Sequence, residues 1–181
     1  MTQDSRMAKG EYILKLCTLS HPDELAVNMI RRLLQKNSNK STFNNFDSLG
    51  VSIATVKIPI ESTYVKIVFL RTDEKEFFSK LRSYYRGVSG AIILFTRNNK
   101  LSFEKAKMFY QFLKKVIEDL IVPTVFIDVL DKAEKIDIEE PEELDDIKEK
   151  VVYFEIIKDD SEAFSRILEY LSKRYLENIL K

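Results

Sequence analysis

The chain has 181 residues, with 29 Lys+Arg against 29 Asp+Glu and a hydrophobic fraction of 45%, which fits one domain able to close a core. Formal neutrality excludes a protein dominated by non-specific nucleic-acid binding, which carries a basic excess. A single cysteine, Cys17, and a single histidine, His21, exclude a disulfide framework and a Cys/His metal site.

Residues 1–10 are polar and read as a flexible tail, leaving 11–181 as one domain. Tyr12 to Leu19 is a mostly apolar run and predicts a strand. Ser20-His21-Pro22-Asp23 then reads as a helix start, and Leu25, Met29, Ile30, Leu33 and Leu34 carry helical spacing to about Lys36. Asn37 to Asn45 reads as a polar loop. Val51–Ile60 and Tyr64–Leu70 predict two strands joined as an antiparallel hairpin. A short helix is expected from Phe77 to about Tyr85, and Ala91–Phe95 reads as a buried strand. Ser102 to Leu120 predicts a long amphipathic helix with Ser102 as its cap. Pro123–Val129 predicts a strand, Pro141–Lys150 a short acidic helix, Val151–Ile157 a last strand and Ser161–Leu180 a closing helix. The order is that of an α/β sheet, mostly parallel with one antiparallel hairpin, between layers of helices.

No apolar run approaches the ~20 residues of a membrane span. The first residues lack a signal peptide's apolar stretch and the last carry no prenylation cysteine. The expectation is a reduced, cytoplasmic protein with no membrane anchor. Charge is unevenly spread: twelve Lys/Arg against four Asp/Glu from Lys66 to Lys115, and ten acids against three lysines from Asp131 to Glu149. His21 reads as a surface or cap-region residue, since no nucleophile or carboxylate pattern accompanies it, and Cys17 as a small buried apolar side chain.

The run Ser83-Tyr-Tyr-Arg-Gly-Val-Ser-Gly-Ala-Ile-Ile-Leu-Phe95 closely resembles the S-Y-Y-R-G-A-x-G-A-I-x-V-Y run of Rab-type small GTPases of the Ras superfamily. Ser48–Ile53 is similar to that family's T-I-G-V-D-F, Lys66–Phe78 aligns without gaps on its K-L-Q-I-W-D-T-A-G-Q-E-R-F, and Ser102-Phe103 on the S-F that opens the next helix. The resemblance covers roughly Glu11 to Tyr170. It implies a small-GTPase, P-loop-NTPase-like fold: a six-stranded mostly parallel sheet with one antiparallel hairpin, flanked by about five helices.

The family's nucleotide chemistry is not matched. Its phosphate loop, G-x-x-x-x-G-K-[ST], lets backbone N–H groups curl around phosphates while the lysine neutralises charge and the hydroxyl holds Mg²⁺. Here the stretch reads Ser20-His-Pro-Asp-Glu-Leu-Ala-Val27, with Ser20 and Leu25 in place of the glycines, Ala26 for the lysine and Val27 for the hydroxyl. The chain's four glycines are Gly10, Gly50, Gly87 and Gly90, so none stands near enough to restore the loop by a shift in alignment. Arg71 aligns with the Mg²⁺-side Asp of D-x-x-G, Glu74 with its glycine and Lys75 with the water-positioning glutamine. The guanine-reading N-K-x-D aligns with Val129-Leu-Asp-Lys132, with Asp131 one residue early, and the S-A-K loop with Ile157-Lys-Asp159. Ser48 aligns with the switch threonine.

The resemblance therefore implies a GTPase scaffold acting as a protein-binding module: a pseudo-GTPase with no catalytic, cofactor-binding or metal residues. The alternative is a divergent small GTPase that still binds GTP or GDP and switches in signalling or vesicle trafficking. A phosphoacceptor receiver domain would need paired acids at the end of the first strand, and Leu19-Ser20-His21 offers none. The candidate protein-binding surface is the switch-like segment, with Ser48, Arg71, Lys75, Phe77, Phe78, Arg82, Tyr84 and Tyr85. Arginine and aromatics favour interface hot spots, and the basic residues point to an acidic protein partner.

Overall fold

In the computed structural model, the described residues are 12–37, 41–46, 51–72, 77, 85–117, 121–131 and 151–181. They form seven strands, β1 (Tyr12–Ser20), β2 (Ser41–Phe46), β3 (Val51–Ile60), β4 (Thr63–Thr72), β5 (Gly90–Phe95), β6 (Thr124–Leu130) and β7 (Val151–Ile157), and three helices, α1 (Glu24–Lys36), α2 (Lys100–Val116) and α3 (Ser161–Ile179). The sheet order is β2-β3-β4-β1-β5-β6-β7. From β4 to β7 every pairing is parallel, while β2–β3 and β3–β4 are antiparallel.

β1 runs through the middle and shows why the sheet is covered on both sides. Successive strand residues face opposite ways. Leu14 and Leu16 join the cluster built with Ala26, Met29, Ile30 and Leu33 of α1 and Phe164, Leu168 and Leu171 of α3. Cys17 and Leu19 join the opposite cluster, with Phe103, Ala106, Phe109 and Leu113 of α2. Burial pushes the Cys17 thiol up to about 12, in keeping with a core residue rather than a reactive one. Gly90, at the start of β5, is required by close approach: a Cβ there would collide with Val122 and press on Leu16.

All six strands expected from the apolar runs are present, with boundaries within two residues. The seventh, β2, occupies most of the stretch read as a loop. Its hydrogen-bonded register with β3, from Ser41 opposite Val56 to Phe46 opposite Val51, makes the antiparallel part of the sheet three strands rather than one hairpin. The structure describes three helices, not about five. Of the segment expected as helix over 77–85, only Phe77 and Tyr85 are described, and the acidic helix expected at 141–150 lies outside the described residues, as does the tail.

The cap of α2 also differs from expectation. Asn99, not Ser102, is the N-cap, its side chain accepting from the Ser102 N–H at 3.3 Å. Ser102 is fully buried one turn in. Its hydroxyl accepts from the Thr96 N–H at 3.0 Å and donates to the His21 carbonyl. That long-range bond ties the head of α2 to the turn after β1.

Candidate functional site

The parallel strands end on one edge of the sheet, and β1 feeds α1 between β4 on one side and β5 on the other. A crevice at such a switch point, outside the carboxyl ends of the strands, is where open α/β sheets place ligands. Here the turn Ser20–Asp23 sits in that position.

The head of α1 is bonded to its own chain. The His21 N–H donates to the Leu94 carbonyl at 3.3 Å, the Leu25 N–H to the Pro22 carbonyl at 3.2 Å and the Val27 N–H to the Asp23 carbonyl at 3.5 Å. The Ala26 N–H donates to the Ser20 hydroxyl at 3.2 Å, and that hydroxyl in turn donates to the Asp23 carbonyl at 3.1 Å. Ser20 thus caps the helix from the end of β1. Asp23, at the N-cap position, makes no side-chain cap bond. Pro22 carries no N–H at all, and the bond before it is cis. Four backbone donors that a phosphate cradle would aim outward are therefore engaged internally.

Arg71 lies on β4 directly across from Thr18 of β1. By strand alternation it shares a face with Ile67 and Phe69, and Thr18 shares that face with Leu14 and Leu16. The Arg71 guanidinium reaches the Asp23 carboxylate at 3.9 Å, with side-chain exposures of 15% and 40%. The two positions that face a triphosphate and its Mg²⁺ in the family resembled here hold a cation and an anion facing each other. Among the described residues no group of His, Cys, Asp and Glu could hold a metal ion.

At the other end of the same edge, the loop after β5, with β6 and β7, carries a polar network in an otherwise apolar wall. Asp128, fully buried in the middle of β6, accepts from the Arg97 backbone N–H at 3.0 Å, from the Arg97 Nε and from the Tyr153 hydroxyl at 3.1 Å. The Arg97 Nη2 donates to Glu155 and, at 2.6 Å, to the Tyr153 oxygen. Burial alone would lower the Arg97 pKa, but its hydrogen bonds to Asp128 and Glu155 outweigh that and raise it. Burial, and then the Asp128 charge, hold the Tyr153 phenol well above its ordinary range, so it stays a neutral donor. Sequence reasoning passed over this network. The available signal was a single aspartate inside the apolar run Thr124–Leu130, because a buried carboxylate needs paired donors.

A small hollow, with a cavity volume of about 20 Å³, lies between α1, through Leu25, Asn28 and Arg32, and the strand ends at Val129, Lys158 and Asp159. Val129, Lys158 and Asp159 are positions aligned with guanine recognition. The carboxylates near it are engaged: Asp159 pairs with Arg32 at 2.8 Å and Asp131 with Lys158 at 3.3 Å. Asp159 has a φ of 78°, the left-handed conformation that the tight turn from β7 to α3 demands.

Of the candidate binding surface, Arg71 stands at the site edge. Phe77 and Tyr85 are corrected to core: they are 0% and 3% exposed. Phe77 packs edge-on against Tyr85, Phe109 and Phe112 at 5.7, 5.3 and 4.8 Å, and the Tyr85 hydroxyl donates to the Phe77 carbonyl at 3.1 Å. Their aromatic surface is used up against α2. Ser48, Lys75, Phe78, Arg82 and Tyr84 lie outside the described residues. No helix among the described residues is long and apolar enough to cross a membrane.

The element order, the parallel sheet switching direction at β1 and the helices on both faces agree with the small-GTPase scaffold that Ser83–Phe95 resembles. The Ras family model matches residues 32–177, from within α1 to within α3. The chain belongs to the Ras family.

Proposed function

We propose that this Ras-family chain is a Rab-like pseudo-GTPase, a protein-binding scaffold or regulatory module that neither binds nor hydrolyses guanine nucleotide. The observation that carries the reading is the engagement of the His21, Leu25, Ala26 and Val27 N–H groups within the chain. A phosphate loop works by presenting such donors to the ligand. Charge supports the same reading. Asp23 and Glu24 stand where a polyphosphate would lie, and the Arg71 guanidinium, a donor with no lone pair to give a metal, stands where a carboxylate would hold Mg²⁺.

The test is to denature the purified protein and chromatograph the supernatant. No guanine nucleotide is expected; a near-equimolar amount of GDP or GTP would establish the alternative, a divergent nucleotide-binding switch.

Function then rests on surface. Lys75 and Arg82 follow Arg71 in the switch-like segment, and basic residues steer acidic partners with a strong dependence on salt. Reversing both charges, Lys75→Glu with Arg82→Glu, is expected to abolish capture of the protein partner while shifting stability by less than about 1 kcal/mol, as for charges that serve binding rather than folding. Capture that survives in a folded double variant would move the interface elsewhere, with Asp131–Glu149 the next region to test.

A further inference from the structure

β7 is a border of the sheet: among the described residues β6 is its one strand neighbour. The Lys158 N–H donates to the Leu130 carbonyl at 2.6 Å, continuing the ladder to β6. Backbone groups alternate sides along a strand, so Val152, Phe154 and Ile156 turn theirs to β6, while Val151, Tyr153, Glu155 and Ile157 turn theirs outward. Of that outward row, the Ile157 carbonyl accepts from the Asp160 N–H at 3.0 Å. An open border is a template for another strand, and proteins guard it with proline, lysine, a bulge or a charge. β7 reads Val-Val-Tyr-Phe-Glu-Ile-Ile and holds an unbroken register with β6. Its one charge, Glu155, is answered within the chain by the Arg97 Nη2. The opposite border, β2, is shorter and mostly polar.

We propose that β7 is a dimerisation edge, pairing antiparallel across a two-fold axis with β7 of a second copy. The outward row is self-complementary when the axis passes Phe154. Tyr153 then lies opposite the partner's Glu155 and Val151 opposite the partner's Ile157, so each outward residue meets another. Tyr153 and the partner's Glu155 exchange both main-chain bonds, and the Ile157 N–H reaches the partner's Val151 carbonyl. The β-branched Val151 and Ile157 make a favourable cross-strand pair. An axis at Glu155 would set two carboxylates against each other, which destabilises a sheet, and an axis at Tyr153 would leave Ile157 unmatched. At Phe154 each Glu155 stays with its own Arg97. A two-fold interface is closed, so growth through β7 stops at two copies. The inference is independent of the pseudo-GTPase reading: it needs no nucleotide and no residue of the turn after β1.

The experiment is light scattering of the full chain after gel filtration, from micromolar to submillimolar protein, where a dimer whose share grows with concentration is expected. Ile157→Pro removes an outward N–H and spares the β6 ladder, as border strands tolerate. It should weaken dimerisation about tenfold, since the two-fold doubles the loss of one hydrogen bond, with the melting temperature near wild type. Ile157→Lys, an edge charge, should do the same, and it carries the test if the proline variant does not fold. Phe154→Cys reads the register. On the axis the two copies of that position form a non-hydrogen-bonded pair with Cα atoms about 4.5 Å apart, within disulfide reach. Oxidised glutathione should link them, and should link Val152→Cys far less, because Val152 lies opposite the partner's Ile156; Cys17 is buried. A chain that stays monomeric throughout, a dimer unchanged in the folded Ile157 variants, or equal linkage at positions 152 and 154 overturns the proposal. A monomer that instead adds an extended peptide along β7 overturns it too. Nucleotide released on denaturation would refute the pseudo-GTPase reading and leave these outcomes as they stand.

Discussion

Asp128→Ala should destabilise the protein by about 3–5 kcal/mol, the cost of leaving one member of a buried ion pair uncompensated. Arg97 is only 9% exposed in its side chain. With Asp128 gone it would keep Glu155 and Tyr153 but lose the carboxylate that binds both its Nε and its main-chain N–H. The Tyr153 hydroxyl would lose an acceptor as well. A urea midpoint measured on wild type and variant reads this directly. A shift worth less than about 1 kcal/mol would mean that water reaches the site and that the network is looser than its geometry. Replacing both partners, Arg97→Leu with Asp128→Leu, should recover much of the loss, because an apolar pair leaves no buried charge behind.

Phe77→Ala should cost a similar amount, about 3–5 kcal/mol, for a different reason. Its ring is wholly enclosed and touches three other aromatic rings. Truncation removes the dispersion contacts and leaves a cavity between Tyr85 and α2. The same urea experiment checks it. If Phe77→Ala instead left stability near wild type while weakening partner capture, Phe77 would belong to the interface that its sequence neighbourhood suggests.

The strands were legible where apolar residues run without interruption, as in Ala91–Phe95, buried throughout. They were illegible in Ser41–Phe46, whose serine, threonine and two asparagines carry the composition of a loop. β2 is a strand because β3 offers it a paired edge, and that is tertiary context outweighing propensity. The switch-like segment posed the converse problem. Phe77 and Tyr85 looked equally suited to core and to interface, since aromatics serve both, and only their place against α2 decides. The loss of the phosphate-loop residues was readable outright, because glycine, lysine and hydroxyl each have a defined role. That the chain's own carbonyls and Ser20 take over those N–H groups was not readable, since those bonds join Leu94 to His21 and depend on the turn's path. The Arg97 network was hidden by distance along the chain, its members lying on one loop and two strands.

The extra strand β2 alters what motion the chain can make. In the GTPases whose switch threonine aligns with Ser48, the stretch leading to that residue is released when the third phosphate leaves. Here that stretch includes six residues in register with β3. Freeing it would mean unzipping a ladder from the border of the sheet, an opening set by local unfolding free energy rather than by a ligand. Amide hydrogens of β2 that point toward β3 should therefore exchange with deuterium slowly and at the same rate whether or not GTP is added.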